Sequence, residues 1–182
     1  SSDVCSSDLR VASDVVVVVG HRGEQVKAAF TGVVQFVEQK EQLGTAHAVM
    51  QAQPLLPADG TVLILCGDTP LLSGDVIEDF YAAHQKSGAV ATILTALVPH
   101  PFGFGRIVRD ADGCVQKIVE EKDALATERM VNEINTGTYL FTTDALCNAL
   151  AKVGCANVQG EYYLTDCIEI LLKDSRHVTT HI

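Results

Sequence analysis

Five consecutive valines occupy residues 15–19 and are closed by Gly20. β-branched side chains crowd the preceding turn of a helix and fit a pleated strand, so this run has one comfortable conformation. Residues 61–66, Thr-Val-Leu-Ile-Leu-Cys, repeat the pattern. Runs that are apolar throughout, rather than at alternate positions, belong in sheets covered on both faces, and the covering layers are ordinarily helices.

The rest of the chain supplies those helices. Residues 23–30 read as a short helix with Val26 and Phe30 four apart, residues 33–37 as a strand, and residues 45–55 as a helix carrying Ala48, Val49 and Ala52 on one side. Ser73 is placed to cap a helix to about Lys86, with Val76, Ile77, Phe80 and Ala83 inward and Gly88 closing it. Strands follow at 89–98 and 137–141, and a hairpin at 106–109 and 115–120 turns on Asp110-Ala111-Asp112-Gly113. Helices at 144–152 and 165–173, the second with Thr165 as N-cap, precede a last strand at 177–182. Strand–helix alternation with an inserted hairpin predicts a three-layer α/β/α domain around a mixed, mostly parallel sheet.

With 182 residues, 47% of them hydrophobic, the chain can bury a core, and one domain over residues 11–182 is expected. Residues 1–10 contain an imperfect repeat, Ser-Ser-Asp-Val-Cys then Ser-Ser-Asp-Leu, and read as an adaptor-like or disordered tail. No apolar run reaches the roughly 20 residues of a membrane helix. Acidic groups outnumber basic ones, 23 to 13, and no basic patch for nucleic acid is visible. Six cysteines without metal-ligand spacing or a leader predict free thiols, mostly in the core, and a cytoplasmic, reducing compartment. The six histidines show neither metal spacing nor a triad partner and are read as structural or surface groups.

Five stretches could carry chemistry. In Cys66-Gly67-Asp68-Thr69-Pro70, an aspartate follows the carboxyl end of a buried strand, where open α/β sheets bind ligands. Asp68 either holds a hard cation beside phosphate oxygens or caps the turn before Pro70. Gln39 and the segment 41–45 offer amide edges suited to a nucleobase and a glycine at a helix N-terminus; an ordinary strand–helix connection is the alternative. Phe102-Gly103-Phe104-Gly105-Arg106 is either a flexible turn or a loop pressed against a sugar or phosphate. Glu120 and Asn135 lie near strand ends and could hold vicinal hydroxyls, although charged runs such as 120–123 are usually solvated. Tyr162 and Tyr163 are core residues or one wall of a sugar pocket.

Taken in order, GTAHA (44–48), CGDTPLL (66–72), GFGRIVRD (103–110), IVEEKDA (118–124), EINTGTY (133–139) and NVQGEYYLTD (157–166) resemble one family. It is the uridylyltransferase domain of the bifunctional N-acetylglucosamine-1-phosphate uridyltransferase/glucosamine-1-phosphate acetyltransferases. The resemblance runs from about Val15 onward. It implies a nucleotidyltransferase fold and the reaction UTP + N-acetylglucosamine 1-phosphate → UDP-N-acetylglucosamine + pyrophosphate, in the cytoplasm, for peptidoglycan synthesis. It implies Gln39, Gly44 and Thr45 at the uridine, and Asp68 as the catalytic Mg²⁺ ligand beside Cys66 and Gly67. Gly105, Glu120 and Asn135 would hold the sugar, and Glu161 and Tyr163 the N-acetyl group. A non-catalytic sugar-nucleotide-binding or regulatory domain, and a pyrophosphorylase for another sugar phosphate, are the alternatives. The family's opening Leu-Ala-Ala-Gly-x-Gly-Thr-x-Met phosphate loop, a lysine that follows it, a later asparagine that binds metal and a trimer-forming acetyltransferase domain have no counterpart in the sequence. The expectation is therefore an incomplete fold: a monomeric internal piece with weak or no turnover.

Overall fold

A computed structural model of the chain describes residues 12–21, 23–29, 34–67 and 72–182. The proposed tail at 1–10 and Asp68 lie outside the described residues. Eight strands appear among them: β1 (Val16–Val19), β2 (Gln35–Glu38), β3 (Thr61–Ile64), β4 (Ala91–Leu97), β5 (Arg106–Arg109), β6 (Val115–Val119), β7 (Glu133–Thr142) and β8 (Val178–His181). The α-helices are α1 (Gly23–Ala29), α2 (Thr45–Ala52), α3 (Gly74–Ser87), α4 (Thr143–Leu150) and α5 (Thr165–Lys173). Order and type follow the sequence pattern, with two helical expectations trimmed. α2 tightens into a 3₁₀ turn over Gln53–Leu55, where Pro54 has no N–H to continue the α ladder. α4 gives out at Leu150 rather than Lys152.

The described strands form two sheets. β1 and β2 pair in parallel, and β6-β5-β7-β4-β8 form the larger sheet, with β3 also on β7. Pairing is antiparallel for β3–β7, β4–β7, β5–β7 and β5–β6 and parallel for β4–β8. Hence β3, β4, β5 and β8 share one direction while β6 and β7 oppose it. The sheet is mixed as expected and most of its strands run the same way, yet β7 lies between β4 and both β3 and β5, so most neighbours are antiparallel.

Helices cover both faces. Phe80 of α3 packs with Leu94 and Leu140 on one face. Ile93, Tyr139 and Phe141 point to the other, into a core closed by Leu146 and Leu150 of α4 and Ile168 and Leu171 of α5. Tyr139, Leu140 and Phe141 thus alternate between the two layers, as the two-residue period of a strand requires. Burying a side chain such as Phe80 or Ile168 stabilises the fold by about 1.5–3 kcal/mol each.

Three expectations need correction. β3 is half-buried along its whole length rather than enclosed on both faces, because β7 is its one partner among the described residues. Val76 is exposed, and the inward stripe of α3 is Ile77, Phe80 and His84, spaced three and four apart. Of the cysteines described as free thiols, Cys167 alone is buried, while Cys66 and Cys147 are half-buried and Cys114 and Cys155 exposed.

Candidate functional site

β7 sets the geometry. One step along β4, from Leu94 to Thr95, corresponds to three along β7, from Thr138 to Asn135, so Thr136 and Gly137 are looped out as a bulge. The bulge leaves Asn135 and Tyr139 opposite Thr95 and Ile93, two residues apart in register, and therefore adjacent on one face. Their side chains meet: Asn135 Nδ2 donates to Tyr139 Oη at 2.6 Å, and Asn135 Oδ1 accepts from the Gly137 N–H at 3.1 Å. Gly137 has φ +78°, and a Cβ there would stand 2.8 Å from Cys66 Sγ. That thiol donates to the Gly137 carbonyl at 3.4 Å, which ties the chain leaving β3 to the bulge.

Gly105 and Glu120 join the same group. The Asn135 N–H donates to the Gly105 carbonyl at 2.9 Å. A Cβ at Gly105 would lie 3.4 Å from Glu120 Oε2 and 3.5 Å from Asn135 Cβ, so the three residues line one narrow space. Glu120 is not a solvated end of a charged run. It is half-buried, and Oε1 accepts from Thr165 Oγ1 at 3.2 Å. Burial raises its pKa above the usual carboxylate value, Asp123 adds to the rise, and the Thr165 hydroxyl works against it. Glu121 meets the buried Arg106 guanidinium, Nη2 to Oε2 at 2.7 Å, and Arg106 also donates to the Phe104 carbonyl. This clamp fixes the loop that ends at Gly105.

The other side of the site is built by two segments far apart in sequence. The Tyr162 N–H donates to the Leu43 carbonyl at 2.8 Å, and the Ala46 N–H to the Tyr162 carbonyl at 2.9 Å. Gly44, at φ +114°, is the point of closest approach: a Cβ would be 2.5 Å from the Tyr162 oxygen, which excludes any other residue. Gly44 also takes the N-cap position of α2. Thr45 therefore begins the helix rather than capping it, and its hydroxyl accepts from the Leu164 N–H at 2.9 Å. Thr165 likewise is not its own helix's cap; Leu164 holds that position, and the Thr165 hydroxyl is free for Glu120. Gln39 is buried, and its Nε2 donates to the Gly44 carbonyl at 3.1 Å.

Glu161 and Tyr163 flank the crossing. Both main-chain groups of Glu161 bond to the Asn157 side chain, and the Tyr163 hydroxyl accepts from Gln159 Nε2 at 2.8 Å. Beyond them, burial together with Glu169, Glu120 and Asp123 pushes Asp166 up to about 6.

Gln39, Gly44, Thr45, Cys66, Gly105, Glu120 and Asn135 are thus joined through Leu164, Thr165 and Gly137 in one continuous set of contacts. Gly67 is exposed where the chain leaves β3, with nothing within 4 Å of a Cβ placed on it. The sequence reading missed three members: Tyr139, Thr165 and His47. The last is one of the six histidines read as structural or surface groups, yet its Nδ1 lies 3.0 Å from Gln39 Nε2. Its place three residues after Gly44, on the first turn of α2, is the signal that could have found it. A hollow of about 500 Å³ lined by Met50, Pro54, Leu56, Thr143, Asp144 and Cys147 shares no residue with this set. Among the described residues no group of three His, Cys, Asp or Glu side chains could hold a metal, and no helix is long and apolar enough to cross a membrane.

Comparison with known proteins bears on the family and the fold. The chain is 49% identical over 177 residues to the Bifunctional protein GlmU of Lactococcus lactis subsp. lactis (strain IL1403), covering 97% of this chain and 38% of that protein. It is 51% identical over 167 residues to the Bifunctional protein GlmU of Bacillus mycoides (strain KBAB4), covering 91% of this chain and 36% of that protein. The chain therefore spans well under half the length of these relatives. In fold it is similar to a UDP-glucose pyrophosphorylase complexed with UDP-glucose, with TM-score 0.75 and 16% identity over 97% of this chain and 75% of that one. It is also similar to a putative glucose-1-phosphate thymidylyltransferase from Bacillus anthracis, with TM-score 0.73 and 20% identity over 98% of this chain and 70% of that one. The sequence profile described as Nucleotidyl transferase matches residues 15–182, and on that match the chain belongs to the nucleotidyl transferase family.

Proposed function

We propose that the chain forms the base- and sugar-facing walls of a uridylyltransferase site for UTP + N-acetylglucosamine 1-phosphate → UDP-N-acetylglucosamine + pyrophosphate. The observation that carries this reading is the contact set from Gln39 to Asn135, which gathers an amide edge, a close-approach glycine, a carboxylate and a second amide in one place. Gln39, Gly44 and Thr45 would face the uridine. Gly105 would let the sugar ring approach the backbone, while Glu120 accepts from ring hydroxyls and the unengaged N–H of Asn135 donates to one. Glu161 and Tyr163 would border the N-acetyl group.

The chemistry asks for position more than for covalent help. A sugar phosphate oxygen attacks the α-phosphorus in line as pyrophosphate departs, so residues that hold both reactants in register supply the rate. Mg²⁺ would sit at Asp68, reached from β3 through Cys66 and Gly67, where one carboxylate plus phosphate oxygens suits a hard cation and offsets phosphate charge. The cytoplasm, peptidoglycan synthesis and a monomeric state for the chain, within a trimeric family, belong to the same proposal.

The test is calorimetric titration of the chain with UDP-N-acetylglucosamine and UDP-glucose in Mg²⁺. UDP-N-acetylglucosamine should bind more tightly, and Asn135→Ala should weaken it at least tenfold. Equal affinity for both sugars would favour a pyrophosphorylase of another sugar phosphate. Binding untouched by Asn135→Ala would remove the sugar wall from the site.

A further inference from the structure

The environment of Gln39 is more specific than its proposed role at the base requires. A carboxamide can turn either end outward, and the two orientations read opposite base edges. Here the orientation is settled by chemistry. The end of Gln39 that lies 3.1 Å from the Gly44 carbonyl must be the NH₂, because a backbone carbonyl only accepts. The same nitrogen is 3.0 Å from His47 Nδ1, so its second N–H requires that ring nitrogen as an acceptor. Among the described residues both donors of Gln39 are then engaged within the chain, and Oε1 has no protein partner.

His47 is held in place for this. Its ring lies 6.3 Å from that of Tyr162, and its Nε2 lies 3.2 Å from Gln51 Nε2. A neutral imidazole has one donor and one acceptor nitrogen, so Nδ1 and Nε2 cannot both accept from amide nitrogens. Both amides also donate to a backbone carbonyl, Gln39 to that of Gly44 at 3.1 Å and Gln51 to that of His47 at 3.0 Å. Gln39 is buried and Gln51 half-buried, so the amide that gives up its ring acceptor is Gln51, whose N–H water can reach. Nδ1 is therefore the acceptor and the proton resides on Nε2.

We propose that His47, in its Nε2–H form, is a positioning residue that locks the Gln39 amide with only its oxygen outward. The site thereby selects a base with an imide N–H, as in uracil, over cytosine, whose N3 is an acceptor. This rests on the reading that Gln39 faces the base. The bystander alternative, a histidine that only packs α2 against Tyr162, would weaken all nucleotides alike when removed.

Three measurements on the full chain separate these outcomes. Long-range ¹H–¹⁵N NMR of the unliganded wild type should show His47 Nδ1 unprotonated; a protonated Nδ1 would overturn the proposal without any variant having to fold. Titrations with UTP and CTP should give a UTP preference of at least tenfold, narrowed at least fivefold by His47→Leu and kept within twofold by His47→Asn, whose Oδ1 can stand in for Nδ1. An unchanged ratio in His47→Leu, with both affinities shifted together, would overturn it. Gln39→Ala with both affinities intact would overturn the base-facing reading and the selectivity with it; an unprotonated Nδ1 in that case would show that the geometry was right and the ligand wrong.

Discussion

Thr165 shows how one hydroxyl can belong to a site while standing at a helix start. Sequence pattern places a threonine before an apolar stretch as a cap, since capping is its commonest use there. In the fold Leu164 takes the cap position and Thr165 turns to Glu120. That hydrogen bond favours the charged carboxylate, against the burial that disfavours it. Thr165→Val should therefore raise the Glu120 pKa further, and ligand affinity should begin to fall at a higher pH than in the wild type. We expect UDP-N-acetylglucosamine binding at neutral pH to weaken on the order of tenfold, with Thr165→Ser near wild type; pH-dependent calorimetry checks both. Gln39, Gly44 and Glu120 were readable as candidates from residue type and place. His47 and Tyr139 were not, because each acts through another side chain that only the fold brings near.

Among the elements, β7 carries the most information that sequence pattern leaves out. The pattern shows a strand from Gly137 onward, with Asn135 near its edge. The strand in fact starts at Glu133 and carries Thr136 and Gly137 inside it as a bulge. The looped-out residues satisfy themselves: Thr136 Oγ1 donates to the Leu94 carbonyl at 2.7 Å, and the Gly137 N–H is taken by Asn135. Gly137→Ala combines a positive φ with a 2.8 Å approach to Cys66 Sγ. It should cost about 2 kcal/mol and several degrees of melting temperature. The double variant with Cys66→Ala should recover the steric share and leave the backbone share, which differential scanning calorimetry can resolve. Helices with clear stripes and strands with β-branched runs were legible; bulges and register were not, because they depend on pairing with β4.

Across the whole molecule, two half-buried or buried ionisable groups bracket the pH range of stability. His84 lies between α3 and the sheet with Nδ1 2.7 Å from Thr92 Oγ1, and burial lowers its pKa below the ordinary 6.5. A base that is harder to protonate folded than unfolded stabilises fully above 6.5 and loses that contribution as pH falls through its lower folded value. Asp166 behaves oppositely. Its folded value of about 6 exceeds the ordinary 3.8, so the folded chain binds the extra proton, and that contribution disappears as pH rises through about 6. Asp166→Asn should raise stability at pH 8 by about 1 kcal/mol, after allowance for solvent screening, and should have almost no effect below pH 4. Thermal melts at the two pH values test the sign. The layer architecture itself was legible from the alternation of strands with striped helices, although the unbroken apolar run of β3 is only half-buried. The interleaving of β7 was not, because no local pattern states which strand a chain will return to.

The crossing at Gly44 and Tyr162 joins stretches more than a hundred residues apart with no slack between them. Whatever first quiets the motion of one stretch must quiet the other, so the entropy of ordering is lost once and shared by both guests. On the proposed function, a nucleotide and a sugar phosphate meeting at such a seam should each find the protein readier for having met the other.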